Sequence, residues 1–223
     1  MSAFTLADEL VLLAYDDAGA NQLGGLRLGY GLAGAVLLDL ALAARAEVVN
    51  DRLTVIDPRP VGHPVLDAAL ASIGAEQKLH KPKDWISRLA KQLPDRVLAG
   101  LVEAGVLRRE SDRVLGLFPR TRYPSPTGAE PVPETEARRR MHAAVAGDGP
   151  VDARTAALIA LTRAVGLDRQ LFRDLPKGRV KVRLAEIAAG DWASAATKKA
   201  IEETQAAVMV AITAAAIAST AAS

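Results

Sequence analysis

The sequence predicts a mainly α fold, a single helical domain with two small β-hairpins, over residues 1–223. Three observations predict it. Apolar residues recur at three- and four-residue spacing through most of the chain, as on one face of an α-helix. Only two short stretches pair apolar runs about a turn, the mark of a hairpin. Proline and glycine divide the remainder into segments of helical length.

Thr5 with Asp8 three residues on is a capping-box start, and Leu6, Leu10 and Leu13 share one face of the helix that follows. That helix should end near Asp16–Gly19. A glycine-rich stretch, Asn21 to Gly34, leads to a second stripe, Leu32, Val36, Leu37 and Leu40, ending near Arg45. Glu47–Val49 and Leu53–Ile56 flank Asn50-Asp51-Arg52 as the first hairpin. Pro58, Pro60 and Pro64 precede a short helix, Val65 to Ile73, with Leu66 and Leu70 inward. After the basic loop Lys78–Lys81, Pro82 opens a helix carrying Trp85, Ile86 and Leu89. Pro94 breaks it, and Asp95 to Ala104 forms the next.

Gly105 ends that helix. Val106–Arg109 and Arg113–Phe118, around Ser111-Asp112, read as the second hairpin. Five prolines make Pro119 to Pro133 a long surface loop. Helices are expected over Glu134–Val145, Asp152–Val165, about Arg179–Ala188, and from Asp191 onward, with Gly147–Pro150 a linker. Gln205 to Ser223 carries no charge and is about long enough to cross a bilayer. Alanine, serine and threonine dominate it, and alanine adds little transfer free energy. A buried core helix is therefore expected there.

Half of the residues are hydrophobic and 24% are charged, an ordinary globular composition able to bury a core unaided. The absence of cysteine excludes disulfides, thiolate metal sites and cysteine nucleophiles. A net charge of +2 does not indicate a nonspecific nucleic-acid binder. The N-terminus has no basic segment followed by an apolar one, so no signal peptide is read, and a cytoplasmic protein, peripheral on the inner membrane face, is expected. Abundant alanine, arginine and leucine point to a GC-rich bacterial genome.

Several motifs invite sharper chemistry. Gly29-Tyr30-Gly31-Leu32-Ala33-Gly34 spells the dinucleotide fingerprint, with Asp51 about twenty residues on. The fingerprint needs a buried strand ending at its first glycine. Leu23–Leu28 is too glycine-rich for one, so close backbone packing or positive φ explains these glycines better. Helix followed by hairpin occurs twice, as in winged-helix regulators. The helix from Leu32 to Ala44 has Asp39 as its only charge, and the next candidate offers Arg96 beside Asp95 and Glu103. Neither suits a major groove. His63, His80 and His142 lack metal-ligand spacing, and no serine has a recognisable base partner. No catalytic constellation emerges, and neither an enzyme nor a cofactor is expected. Arg138-Arg139-Arg140 reads as a solvated helix face. Lys177, Arg179, Lys181 and Arg183 would share one face of a strand but spread around a helix. They form either a solvent face or a surface for acidic head groups.

Taken in order, Leu6–Leu13, Gly31–Leu42, Val65–Leu70, Asp84-Trp85-Ile86, Leu101–Leu107 with its apolar hairpin, and Asp152–Arg154 with Ala157–Leu161 resemble the Golgi phosphoprotein 3 family from about residue 5 onward. The resemblance implies a mainly helical, non-enzymatic domain. Eukaryotic members are peripheral membrane proteins that bind phosphatidylinositol 4-phosphate and sort Golgi glycosyltransferases by their cytoplasmic tails. Their head-group site uses a tryptophan before the second helix, an arginine in its first turn and two arginines on a later helix. By position these fall at Gly24, Ala33, Lys91 and Pro94, so three of the four groups are missing. The resemblance leaves Arg27, Arg88, Lys91 and Arg96 as the candidate set for anionic phospholipid or phosphoinositide head groups. It also implies that the apolar hairpin residues Val114, Leu115, Leu117 and Phe118 meet a membrane or another subunit. Its further implied partners are a membrane protein's cytoplasmic tail and a second copy of the chain, not nucleic acid. Alternatives are a winged-helix DNA-binding regulator, or an interaction and oligomerisation module that binds no lipid.

Overall fold

The computed structural model describes residues 4–114, 118–190 and 195–221. Among them are ten helices and two antiparallel two-stranded sheets, a mainly α domain as the sequence predicts. Helix α1 (Leu6–Ala14) starts at the Thr5–Asp8 capping box, where Thr5 Oγ1 accepts from the Asp8 N–H at 3.1 Å and Asp8 returns the bond to the Thr5 N–H at 2.8 Å. Every residue of α1 is buried.

Helix α2 (Gly25–Leu42) is the axis of the core, in contact with α1, α4, α5, α7 and α10. It starts seven residues before Leu32, where the sequence pattern placed it. The glycine-rich run is helical because its glycines are where neighbours cross. A Cβ at Gly29 would meet the Ala90 carbonyl oxygen at 2.5 Å, and one at Gly31 would meet Val165 Cγ1 at 2.7 Å. These glycines are packing contacts, and no parallel strand precedes them.

Strands β1 (Ala46–Val49) and β2 (Arg52–Val55) pair in the register Ala46↔Val55 and Val49↔Arg52. Asn50 and Asp51 both take positive φ, 49° and 59°, as a two-residue hairpin turn requires. Helices α3 (Pro64–Gly74), α4 (Pro82–Leu89) and α5 (Leu93–Glu103) follow, each with proline in its first turn. Pro94 therefore starts α5 rather than merely ending α4.

The second hairpin lies later than expected. Strand β3 is Glu110–Val114 and β4 is Phe118–Arg122, paired from Glu110↔Arg122 to Val114↔Phe118. Val106 and Leu107 are not strand residues. Their N–H groups donate back to the Leu101 carbonyl after Gly105 at φ 69°, and Leu107 is buried in the core. The apolar run closes a helix instead of opening a ladder, and a largely polar pair of segments forms the hairpin. The proline-rich loop shortens accordingly, to the span between β4 and α6 (Val132–Ala146).

Helix α7 (Ala153–Val165) is capped by Asp152 and ends on Gly166 at φ 81°. Helices α8 (Asp168–Leu171) and α9 (Lys177–Ala189) lead to α10 (Ala195–Ala221). The C-terminal segment corrects the expectation of a fully buried helix. Ile201, Thr204, Ala207, Val208 and Ala211 face the core, whereas Met209, Val210 and Ile217 stay exposed. Gly25–Leu42 and Thr197–Ala218 are long and apolar enough to cross a membrane, but 67% of the first is buried within the fold, against 33% of the second.

One polar cluster sits under the α1 N-terminus. Asp39 accepts from the Leu6 N–H at 2.8 Å and lies 3.4 Å from the Arg154 guanidinium. Arg154 also pairs with Glu9 at 3.2 Å and donates to the Phe4 carbonyl at 2.7 Å, while Arg140 holds the other Glu9 oxygen at 3.0 Å. Burial lifts the Asp39 carboxyl to about 7, against the pull of Arg154 and the Leu6 N–H. From an ordinary carboxyl value up to about 7, folded Asp39 keeps a proton that the unfolded chain releases. Its stabilising contribution is thus full at low pH and is lost as pH rises through that window, with a slope of at most about 1.4 kcal/mol per pH unit. Glu134, also raised to about 7 by burial, tilts the wild type the same way. Asp39→Asn removes only the first contribution. Urea unfolding from pH 5 to 7.5 should show wild type losing ground to Asp39→Asn; parallel pH profiles would refute the assignment.

Candidate functional site

The four candidate cations come from three helices and one connection. Arg27 is exposed in the first turn of α2, and its guanidinium reaches toward Gly166 at the end of α7. Lys91 is exposed between α4 and α5, next to Ala90, whose carbonyl rests on Gly29. Two residues along a helix are about 200° apart around it. Arg27 and Lys91 therefore flank the same end of α2 from nearly opposite sides. Arg96 is exposed on α5. Arg88 is already engaged: it pairs with Glu76 at 2.8 Å and stacks over Trp85 at 5.3 Å from the ring centroid. It braces α4 rather than offering a free charge.

The residues standing at the family's other head-group positions have contrasting environments. Gly24 is the exposed N-cap of α2, at φ 78°, with no capping side chain. Ala33 is not in the first turn. Because α2 starts at Gly25, Ala33 sits mid-helix with 0% exposure. A long side chain there would have to enter the core.

The α2 N-terminus instead meets the C-terminal half of α10 in a shallow cavity of about 280 Å³, walled by Leu23–Arg27, Tyr30, Ile212, Ala215 and Ala216. Leu26, one of its walls, is 58% exposed. An uncapped helix N-terminus, one arginine and an exposed leucine thus occupy one corner, a combination suited to an anionic, partly apolar surface. Leu26 was missed from the sequence; the period of α2, once its true start is known, would have exposed it.

For the hairpin candidates, Val114 and Phe118 are the last pair of the β3–β4 register, and Leu115 and Leu117 lie outside the described residues. In the 177–183 segment, the helix resolves the alternation into two groups. Arg179 donates to the Ala146 carbonyl at 2.6 Å and contacts Asp148 at 3.2 Å. Buried Arg183 holds the Ala144 and Gly149 carbonyls and pairs with Glu186 at 3.2 Å. These two arginines clamp the linker between α6 and α7. Lys177 and Lys181 are exposed and bind nothing among the described residues.

The winged-helix alternative loses its first candidate, since most of α2 from Leu28 to Leu40 is buried against other helices. Among the described residues no group of three histidine, aspartate or glutamate side chains is placed to hold a metal ion.

Comparison with known proteins agrees with this architecture. The vacuolar protein sorting-associated protein 74 of Eremothecium gossypii is 28% identical over 131 residues, which cover 48% of this chain and 39% of the relative. The aligned part is thus well under two thirds of that protein. The model of the Golgi phosphoprotein 3 (GPP34) family matches residues 6–204, from the first residue of α1 into α10. With almost every helix of the array inside that match, the chain belongs to the Golgi phosphoprotein 3 (GPP34) family.

Proposed function

We propose that the chain is a non-enzymatic adaptor that docks reversibly on an anionic membrane surface, at the cytoplasmic face, through the corner between α2 and α10. The observation that carries this is exposed Leu26 beside Arg27 at the uncapped N-terminus of α2. Each basic group near an anionic leaflet adds roughly 1 kcal/mol, and exposed aliphatic side chains add shallow insertion. Family membership supports an adaptor role, with a membrane protein's cytoplasmic tail as the second ligand. The hairpin residues read from the sequence, Val114, Leu115, Leu117 and Phe118, are a further contact with the bilayer or a second copy. Gly24 presents no aromatic wall and Ala33 no phosphate donor, so marked preference for phosphatidylinositol 4-phosphate is not part of the proposal.

Co-sedimentation with phosphatidylglycerol–phosphatidylcholine vesicles tests it. Binding should be weak and should fade between low and moderate salt, as the Debye length falls to about 8 Å. Arg27→Ala with Lys91→Ala should weaken it about tenfold at low salt, by the loss of two surface charges. Leu26→Ser should remove whatever resists salt. Tight, salt-insensitive binding selective for phosphatidylinositol 4-phosphate and untouched by these changes would overturn the placement. Selective binding of a duplex DNA control would favour a regulator instead.

A further inference from the structure

We propose that a second, separate site, a cationic cleft between α7, α8 and α9, binds a compact ligand bearing two or more phosphate groups. The cleft has a volume of about 740 Å³. Arg163, Arg169, Arg173, Lys177 and Lys181 line it, with Asp168 as the only acidic side chain among the described residues, over a floor of Phe172, Val180 and Leu184. Five cations against one carboxylate give this wall a net charge of four. The whole chain has a net charge of only +2, so the rest of the molecule is on balance negative. The positive charge of the protein is gathered here.

The charges are also uncompensated. None of the five cationic side chains forms an ion pair or a hydrogen bond among the described residues. Elsewhere arginines pair readily: Arg45 with Asp57, Arg138 with Glu134, Arg140 and Arg154 with Glu9. The carboxylate next to Arg173, Asp174, is bound instead to His142 at 2.7 Å. Lys177 and Lys181 stand four residues apart on α9, a like-charge spacing that disfavours the helix. The first turn of α9 has no acidic residue, and no side chain caps it. An arrangement that costs the free protein stability is relieved by an anion in the cleft.

The chemistry selects the ligand. Three guanidinium groups can each meet phosphate oxygens in pairs, while the two ammonium groups act as point charges. Phe172 and Leu184 are buried, so the floor is fixed and apolar, and it would accept the ring or chain that carries the phosphates. A single carboxylate or phosphate would leave most of the cations unmatched. The same chemistry is offered by a multiply phosphorylated lipid head group and by a soluble polyphosphate ester. The site does not rest on the membrane proposal, because the α2–α10 corner shares no lining residue with it.

Isothermal titration of the full chain with inositol 1,4,5-trisphosphate and with pyrophosphate, and flotation with vesicles carrying phosphatidylinositol 4,5-bisphosphate, test the proposal and separate the two sources. Saturable one-site binding of a soluble probe is expected. Arg169→Ala with Lys177→Ala should weaken it at least about tenfold, the loss of one or two charge-assisted contacts. Lys78→Ala with Lys83→Ala, which removes equal exposed charge elsewhere, should change it less than about twofold, as a screened distant charge would. All four side chains are exposed, so circular dichroism should be unchanged. Binding of vesicles but not of the soluble probes, lost with Arg169 and Lys177, would assign the cleft to lipid head groups. Equal losses in the two double variants, or no saturable binding to any probe, would overturn the site. Failure of the corner variants to affect vesicle binding leaves this result intact.

Discussion

Arg154→Met is expected to lower the unfolding free energy at pH 8 by about 3–5 kcal/mol, the typical cost of stripping the partner from buried charge. Arg154 is the one cation that reaches both Glu9 and Asp39. Those carboxylates have side-chain exposures of only 5% and 7%. Without Arg154, Arg140 still holds one oxygen of Glu9, but among the described residues Asp39 keeps only the Leu6 N–H, and the Phe4 carbonyl loses the Arg154 donor. Methionine retains the packing of the stem, so the loss reports charge and hydrogen bonding rather than a cavity. A fall in melting temperature of roughly 10 °C follows for a chain of this size. The loss should shrink toward pH 5, where Asp39, already raised to about 7, carries a proton and no longer needs a counter-charge. Arg154→Lys should recover only part, since an ammonium cannot fork between two carboxylates and a carbonyl. A loss below about 1 kcal/mol at pH 8, as for a surface pair, would show that the cluster is solvated.

What could be read from the sequence divides by the range of the interactions that decide it. The start of α1 is local: Thr5 and Asp8 satisfy each other's N–H groups, and any chain with that tetrad would start a helix there. The first hairpin is local too, because Asn50-Asp51 tolerates the positive φ its turn needs. The start of α2 is not. Glycines from Gly24 to Gly34 have every local reason to break a helix, and they continue one because Ala90, Val165 and Val208 come close to three of them from elsewhere in the chain. The second hairpin was misplaced for a related reason. Val106 and Leu107 have strand-like composition, but they close α5 onto Leu101, a demand visible only once α5 is packed.

The candidate site follows the same division. Lys91 and Arg27 were legible as cations, but not that Arg88 is spent on Glu76 and Trp85. The segment from Lys177 to Arg183 could not be sorted until its period was known. On a strand its four cations form one stripe. On α9, Arg179 and Arg183 turn to the α6–α7 linker and Lys177 and Lys181 turn to the cleft, where Arg163, Arg169 and Arg173 join them from α7 and the α8 region. Those three arginines are spaced by six and four residues across two helix ends, so no periodic pattern announces them.

The α2–α10 corner exists only if α10 is seated, and its seat is Gly34. A Cβ there would meet Val208 Cγ2 at 2.7 Å, Leu161 Cδ2 at 3.1 Å and Thr204 Cγ2 at 3.3 Å. All three side chains are buried, so none can swing out into solvent. Gly34→Leu is therefore expected to destabilise the protein by about 3 kcal/mol or more, the upper range for overpacking a core. The gain from replacing a helical glycine, roughly 1 kcal/mol, has the opposite sign and is too small to offset it. Gly100→Ala isolates that gain: it lies within α5 with no atom within 4 Å of its Cβ position, and it should stabilise by up to about 1 kcal/mol. Hydrogen exchange separates the two outcomes for Gly34→Leu. If α10 is displaced, its amides should lose protection before those of α1, and salt-resistant vesicle binding should fall with them, because Ile212 and Ala215 no longer wall the corner beside Leu26. Uniform loss of protection through all helices would mean that the strain is spread through the core. A stable, fully protected variant would mean that α10 slides along α2 without penalty, and that the corner is not held by this crossing.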